Sequence, residues 1–274
     1  MTGAPSMRTI KTGAGEPPLV FVHGLACDGT DWRAQVAAFT PRTTVVVCEL
    51  PGHGTSPGVP AECTITAYGA GVARALAELE LPPAILVGHS MGCRVILEAN
   101  RIQPGAVSGL VLVDGSRIGA GDPLAAERAM ADELVGDGYL RFMRQFFESM
   151  FFESSDPALA RAIVDRALRL PAAVGRPLIT NLAGWDAGQV ESALDAVSVP
   201  LLAIQSTTMD TTRARVSLSP GQSSGWIDLV RAHVPQAAVA MLLGSDHYPQ
   251  IQVADEVTAL IAEFASLRWG LVER

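Results

Sequence analysis

Six short runs of continuously apolar residues, separated by stretches with helical periodicity, constrain the fold of this 274-residue chain more than any other feature. The runs occupy residues 19–22, 43–48, 84–87, 110–113, 201–204 and 237–242. Apolar runs without polar alternation are typical of strands buried on both faces, as in a parallel sheet covered by helices. Strands that alternate with helices therefore predict an α/β fold, a doubly wound, mostly parallel sheet of about seven strands. Because the segment before residue 19 is short, we expect the sheet to lack its first strand.

One segment interrupts this alternation. Residues 116–187 contain no strand-like run, and their helical patterns cover 123–135, 139–152, 157–170 and 172–184. We predict a core formed by residues 1–115 and 188–274, with residues 116–187 inserted as a helical lid over the carboxyl ends of the strands, where open α/β sheets bind ligands. Within the lid, Phe142, Phe146 and Met150 are predicted to line a substrate pocket; the alternative is that they pack the lid against the core.

Composition excludes several classes of function. The net charge is −8 and the sequence pI about 5.1, which disfavours binding to nucleic-acid phosphates. We find no apolar stretch of about 18 residues, so no membrane span is expected. The four cysteines form no C-x-x-C pair and have no zinc-like spacing, and no glycine-rich dinucleotide or phosphate loop is present. These features predict a cytoplasmic protein with free thiols, no metal and no organic cofactor.

The sharpest chemical signal is the pentapeptide GHSMG at residues 88–92, between a predicted strand and a predicted helix. A serine at such a turn is forced outward in a strained backbone conformation, and small residues are required two positions before and after it. Gly88 and Gly92 meet that requirement. Ser90 is therefore predicted to be a nucleophile; the alternative is a serine that only caps the helix.

Four blocks resemble the α/β-hydrolase superfamily in order: FVHGL at 21–25, ELPGHGTS at 49–56, VGHSMG at 87–92 and GSDHYP at 244–249. The resemblance covers nearly the whole chain. It implies an oxyanion hole formed by the backbone N–H groups of Leu25 and Met91. The resemblance does not identify the substrate, since this fold supports many different reactions.

The general base is expected to be a histidine, because imidazole changes charge near neutral pH. Of five histidines, His247 follows the last predicted strand, in a loop that can reach across the sheet to Ser90. His89 adjoins Ser90, but neighbouring strand residues point to opposite faces, so it should not reach the hydroxyl. We therefore predict His247 as the base.

The acid of the triad has two candidates. Asp210 follows the strand after the lid, the commoner place in the superfamily, but Ser206 and Thr207 replace the usual glycine there. Asp114 ends the strand after the nucleophile helix, a place used by a minority of members, and it is followed by Gly115. Either loop can present a carboxylate to one imidazole nitrogen while the other faces serine. We favour Asp114 and keep Asp210 as its rival.

These residues predict a serine hydrolase that cleaves a small, apolar carboxylic ester or lactone through an acyl-enzyme. The resemblance also admits C–C bond hydrolysis, perhydrolysis and cofactor-independent dioxygenation. A third hypothesis is a non-catalytic ligand sensor on the same scaffold. Neither the substrate nor the choice between monomer and homodimer follows from the sequence.

Overall fold

The protein is described by a computed structural model that covers residues 7–269. Its strands are β1 (Arg8–Thr12), β2 (Leu19–Val22), β3 (Val45–Glu49), β4 (Ala84–His89), β5 (Val107–Val113), β6 (Leu201–Gln205), β7 (Thr207–Met209), β8 (Arg215–Ser217) and β9 (Ala238–Met241). Its helices are α1 (Arg33–Phe39), α2 (Ile65–Glu78), α3 (Met91–Ile102), α4 (Pro123–Glu133), α5 (Gly138–Glu148), α6 (Pro157–Leu168), α7 (Ala172–Gly188), α8 (Val190–Asp195), α9 (Gly225–His233), α10 (Pro249–Gln252) and α11 (Ala254–Trp269).

Seven strands form one sheet in the order β1-β3-β2-β4-β5-β6-β9. All neighbouring pairs are parallel except β1 and β3, which are antiparallel. The predicted doubly wound, mostly parallel sheet is confirmed. The expectation that the first strand is missing is wrong, because Arg8–Thr12 pairs with β3 and forms one edge of the sheet. The residues of this edge strand are exposed or half-buried, so it lacks the continuous apolar run that marks the inner strands.

Successive residues of the inner strands enter different cores, which explains their uninterrupted apolar sequences. In β2, Leu19 and Phe21 pack in a cluster with α1 and α11, whereas Val20 and Val22 pack in the cluster that contains residues of α2 and α3. Because a strand's side chains point alternately to its two faces, both faces must be apolar when both are covered by helices.

Helices α4 to α8 all lie between β5 and β6, and we call Pro123–Asp195 the helical insertion. Two of its helices begin with an Asp-Pro pair: the Asp122 and Asp156 side chains accept hydrogen bonds from backbone N–H groups of the first turn. Proline at the first helical position costs no hydrogen bond, so these pairs are strong start signals. Helix α8 was not predicted. The function of the insertion as a lid stays a prediction.

A short antiparallel hairpin, β7 and β8, follows β6 directly and forms a separate two-stranded sheet. From the sequence, this region stood out only because Ser206 and Thr207 replace the usual glycine, and no strand pair was predicted there. None of the helices in the described residues is long and apolar enough to cross a membrane.

Candidate active site

Ser90 lies at the sharp turn between β4 and α3, with φ 54° and ψ −116°. A Cβ on Gly88 would come 2.4 Å from the carbonyl oxygen of Gly92, and one on Gly92 would come 2.4 Å from that of Val22. Both distances are far below van der Waals contact. Glycine is therefore required on each side of Ser90, as the sequence pattern predicts.

The loop after β2 lies against this turn. A Cβ on Gly24 would be only 3.2 Å from Cβ of Ser90. The loop is held by His23, whose Nε2 accepts a hydrogen bond from the Leu50 N–H at 3.0 Å. Leu25 follows in the same loop, and Met91 is the first residue of α3, where helix N–H groups have no partner within the helix. The two predicted oxyanion donors thus belong to segments adjoining Ser90.

His247 lies in the loop after β9 and is 1% exposed. Its Nδ1 is 2.6 Å from Oδ2 of Asp114, a hydrogen bond that joins residues 133 positions apart. The His247 carbonyl oxygen lies 2.7 Å from Nε2 of His89. With Nδ1 carrying a proton toward Asp114, Nε2 of His247 is left as the acceptor nitrogen. His89 therefore contacts the backbone of the predicted base.

Asp114 is fully buried beside β6, and hydrogen-bond donors surround its carboxylate. Oδ1 accepts from the N–H groups of Ser206 and Thr207, each at 2.8 Å. Oδ2 accepts from Thr207 Oγ1 at 2.6 Å, His247 Nδ1 at 2.6 Å and Arg215 Nη1 at 3.2 Å. Burial alone raises the pKa of Asp114, but the hydrogen bond from His247 and the charge of Arg215 outweigh it and lower the pKa to about 2.

Asp210, the rival acid, lies after β7 and is exposed. Its Oδ1 accepts hydrogen bonds from the Thr212 N–H at 2.8 Å, the Thr212 hydroxyl at 2.7 Å and the Ala214 N–H at 3.0 Å. These contacts lower the pKa of Asp210. They also close the turn of the β7–β8 hairpin, so Asp210 has a local structural task there.

Backbone strain is concentrated around the predicted site. Five non-glycine residues between 7 and 269 have a left-handed φ, and three of them are Ala26 at 52°, Ser90 at 54° and Asp114 at 45°. Ala26 follows Leu25 in the loop after β2. Such conformations persist where surrounding contacts impose them, and they cluster at functional sites.

The helical insertion contacts the His247 loop at several points. The His247 N–H donates to the Met150 carbonyl at 3.2 Å. Ser155 Oγ donates to Oδ2 of the buried Asp246 at 2.7 Å. The rings of Phe151 and Tyr248 stack with centroids 5.5 Å apart. The insertion therefore covers the loop that carries the predicted base.

Burial keeps the imidazole of His247 neutral at pH 7. Burial and, to a smaller extent, the positive charge of Arg215 lower the pKa of His247, while the hydrogen bond to Asp114 raises it; the net result is a fall from 6.5 to about 4. A neutral imidazole is the form that accepts a proton.

Two buried arginines were missed by the sequence analysis. Arg215 on β8 contacts Asp114. Arg94 on α3 forms a bidentate pair with Asp186 of α7, both bonds 2.7 Å, and donates to the Ser90 carbonyl at 3.2 Å. Arg94 also donates to the Ser116 carbonyl, and Ser116 Oγ accepts from Arg215 at 3.0 Å. Arg94 could have been recognised from the sequence as a buried, paired arginine, because it interrupts an apolar helical pattern. No local sequence pattern marks Arg215.

The three residues predicted to line a pocket lie in two places. Met150 contacts the His247 loop, whereas the rings of Phe142 and Phe146 stack with centroids 5.3 Å apart and line a cleft beside residues 212–214. A larger cavity of about 540 Å³ adjoins the loop after β2, lined by Ala26, Cys27, residues of the 49–55 turn, and Arg166, Arg169, Leu170 and Pro171 of the insertion. The part of Phe142 and Phe146 in substrate binding stays a prediction.

The family model described as "Alpha/beta hydrolase family" matches residues 19–260. The chain therefore belongs to the α/β-hydrolase family, and its hydrolase fold carries Ser90, His247 and Asp114 at the carboxyl ends of β4, β9 and β5. No cluster of His, Cys, Asp and Glu suited to a metal ion occurs in the part of the chain that the structure describes.

Among curated relatives, a pimeloyl-[acyl-carrier protein] methyl ester esterase of Methylococcus capsulatus is 39% identical over 107 residues, 39% of this chain and 40% of that protein. The matches with the first curated relatives span less than half of those proteins. A thermophilic esterase from Thermogutta terrifontis has a TM-score of 0.78 at 23% identity, covering 97% of this chain and 94% of that one. An enol-lactonase from Burkholderia xenovorans has a TM-score of 0.74 at 20% identity, covering 94% and 95%. The structural likeness supports the fold.

Proposed function

We propose that the protein is a serine hydrolase that cleaves a carboxylic ester or lactone through an acyl-enzyme on Ser90. The observation that carries the proposal is the buried His247–Asp114 hydrogen bond of 2.6 Å, formed at the same edge of the sheet as a serine held at φ 54°. A serine hydroxyl is a weak nucleophile until a neighbouring base takes its proton, and an oriented imidazole is suited to that task.

In the proposed reaction, Nε2 of His247 removes the hydroxyl proton as Ser90 Oγ attacks the substrate carbonyl. Asp114 fixes the tautomer and stabilises the imidazolium that forms. The N–H groups of Leu25 and Met91 donate to the oxyanion of the tetrahedral intermediate. The imidazolium then protonates the leaving alkoxide. Water, activated by the same imidazole, hydrolyses the acyl-enzyme and restores Ser90.

The helical insertion is proposed to act as the lid of this site. Its contacts with the His247 loop, through Met150, Ser155 and Phe151, support this assignment. The 540 Å³ cavity between the insertion and the loop after β2 is large enough for a small ester or lactone, and it is lined by Ala26 and Cys27 rather than by Ser90 or His247. The similarity to a methyl ester esterase agrees with ester chemistry.

Covalent labelling with a fluorophosphonate probe tests the nucleophile directly. Intact-mass measurement should find one probe adduct on the wild type and none on Ser90→Ala. The exposed Ser219 offers a matched control, and Ser219→Ala should label as the wild type does. An unlabelled wild type, or a labelled Ser90→Ala protein, would overturn the proposal.

A burst experiment then tests the chemistry. Rapid mixing with p-nitrophenyl esters of increasing acyl length should release a burst of p-nitrophenol equal to the enzyme concentration, followed by slower turnover. Hydrolysis of a panel of lactones, measured by the acid that each reaction releases, then assigns the preferred substrate class. Oxygen uptake with an aromatic substrate, without any ester burst, would instead favour cofactor-independent dioxygenation.

A further inference from the structure

Arg215 is a buried cation next to the predicted acid, on a hairpin that the reaction described above does not use. The residue is 3% exposed and lies on β8. Burying a charge without a partner is costly, so a buried arginine is expected to be paired and hydrogen-bonded. Its carboxylate partner among the described contacts is Asp114, at 3.2 Å from Nη1.

The guanidinium reaches three groups that surround the acid. Nη1 donates to Thr207 Oγ1 at 2.8 Å and to Oδ2 of Asp114, and Nη2 donates to Ser116 Oγ at 3.0 Å. Thr207 Oγ1 in turn donates to the same Oδ2 at 2.6 Å. Arg215 and Thr207 therefore donate hydrogen bonds to Oδ2 of Asp114, the same oxygen that accepts the hydrogen bond from His247. They restrict where that oxygen can lie.

We propose that Arg215 is a positioning residue for the proposed hydrolysis: it holds the Asp114 carboxylate in place against His247 and puts its own positive charge beside that pair. This inference rests on the proposed function. Arg215 acts through Asp114 and contacts neither the nucleophile nor, in this assignment, the substrate.

The charges facing His247 define the sign of the effect. Asp114 favours the imidazolium, while Arg215 and, at longer range, Arg94 disfavour it. The ring of His89 is tilted against that of His247, with centroids 4.7 Å apart, and burial keeps it neutral by lowering its pKa well below the ordinary value. Asp246, on the same loop, is bound to Ser155 and has a pKa raised by burial. Removing the Arg215 charge should therefore make His247 easier to protonate.

The pH dependence of fluorophosphonate labelling measures this without knowledge of the substrate. Labelling requires neutral His247, so its rate should fall as the pH drops through the pKa of His247, about 4 in the wild type. For Arg215→Gln we expect the midpoint of this acid limb to rise by about one pH unit or more, since a neighbouring charge shifts a pKa by about 1–3 units. At pH 8 we expect labelling about tenfold slower, because Asp114 loses one of its fixed donors.

Three further variants separate the effect of the charge from the effect on structure. Arg213→Gln, which removes an arginine of the same hairpin that pairs with Glu133 at the surface, should reproduce the wild-type profile. Arg215→Lys should restore the acid limb and still label slowly, because lysine keeps the charge but not the planar fork of donors. In the Asp114→Asn background, Arg215→Gln should add little to the loss of labelling rate at pH 8, because the carboxylate that Arg215 positions is already gone.

The outcomes are distinguishable from failure of the proposed function. A folded Arg215→Gln protein with the wild-type rate and acid limb overturns the positioning role while leaving the serine mechanism intact. If Arg215→Gln does not fold, Arg215→Lys serves as the test. An Arg215→Lys protein with both the labelling rate and the pH profile of the wild type would overturn the inference. Labelling that survives Ser90→Ala overturns the proposed function itself.

Discussion

Two neighbouring segments each contain an aspartate: Asp114 at the end of β5 and Asp210 in the segment after β6. The two carboxylates lie in opposite environments. Asp114 is buried and accepts five hydrogen bonds, one of them from His247. Asp210 is exposed and closes its own turn. The segment after β6 still contributes to the acid, because the N–H groups of Ser206 and Thr207 bind Asp114. The neighbouring strand thus supplies the donors rather than the carboxylate.

Replacing Asp114 by asparagine is the strongest way to break this comparison. An amide cannot hold the imidazole in the required tautomer, and in a serine triad such a change lowers kcat about 10⁴-fold. We expect a loss of about 10³–10⁴ in ester turnover, measured by steady-state kinetics, with the fold checked by circular dichroism. Near wild-type turnover in Asp114→Asn, together with loss in Asp210→Asn, would reverse our assignment.

Removing a single donor sharpens the comparison. Thr207→Val keeps the shape and the strand preference but deletes the hydroxyl that donates to Asp114. A hydrogen bond to a charged group is worth about 1.5–3 kcal/mol, so we expect that loss in the free energy of unfolding by urea titration. Turnover should fall about tenfold. The control is Thr208→Val, at the half-buried next position, which should leave turnover unchanged.

The smallest effect is expected at the rival aspartate. Asp210→Asn keeps an oxygen that can accept from Thr212 and Ala214, and the residue is exposed. Turnover should stay within about twofold of the wild type, as is usual for surface substitutions. The melting temperature should not change measurably. A tenfold or larger loss of turnover would mean that the β7–β8 turn takes part in the site.

Local sequence signals were sufficient where the requirement is itself local. The turn at Ser90 needs glycines at fixed offsets, and the inner strands need apolar side chains on both faces. Both features can therefore be recognised within a few consecutive residues. The edge strand Arg8–Thr12 was not predicted because none of its residues is buried and four of the five are polar. The sheet fold was therefore predictable, apart from its edge.

The environment of Asp114 depends on contacts that no short window contains. Thr207 and Arg215 lie 93 and 101 residues further along the chain. In the sequence, Ser206 and Thr207 stood out only as replacements for an expected glycine, and Arg215 looked like one more scattered arginine. Their common target becomes visible only when β5, β6 and the hairpin are brought together.

The bidentate pair between Arg94 and Asp186 limits how this protein can be recombined with its relatives. One partner belongs to the helix that follows Ser90 and the other to the helical insertion, and both are buried. Losing one partner of a buried pair costs about 3–5 kcal/mol, because the remaining charge is left uncompensated. An insertion transplanted from another α/β-hydrolase would therefore have to bring its own carboxylate to Arg94. The two segments are constrained to change together.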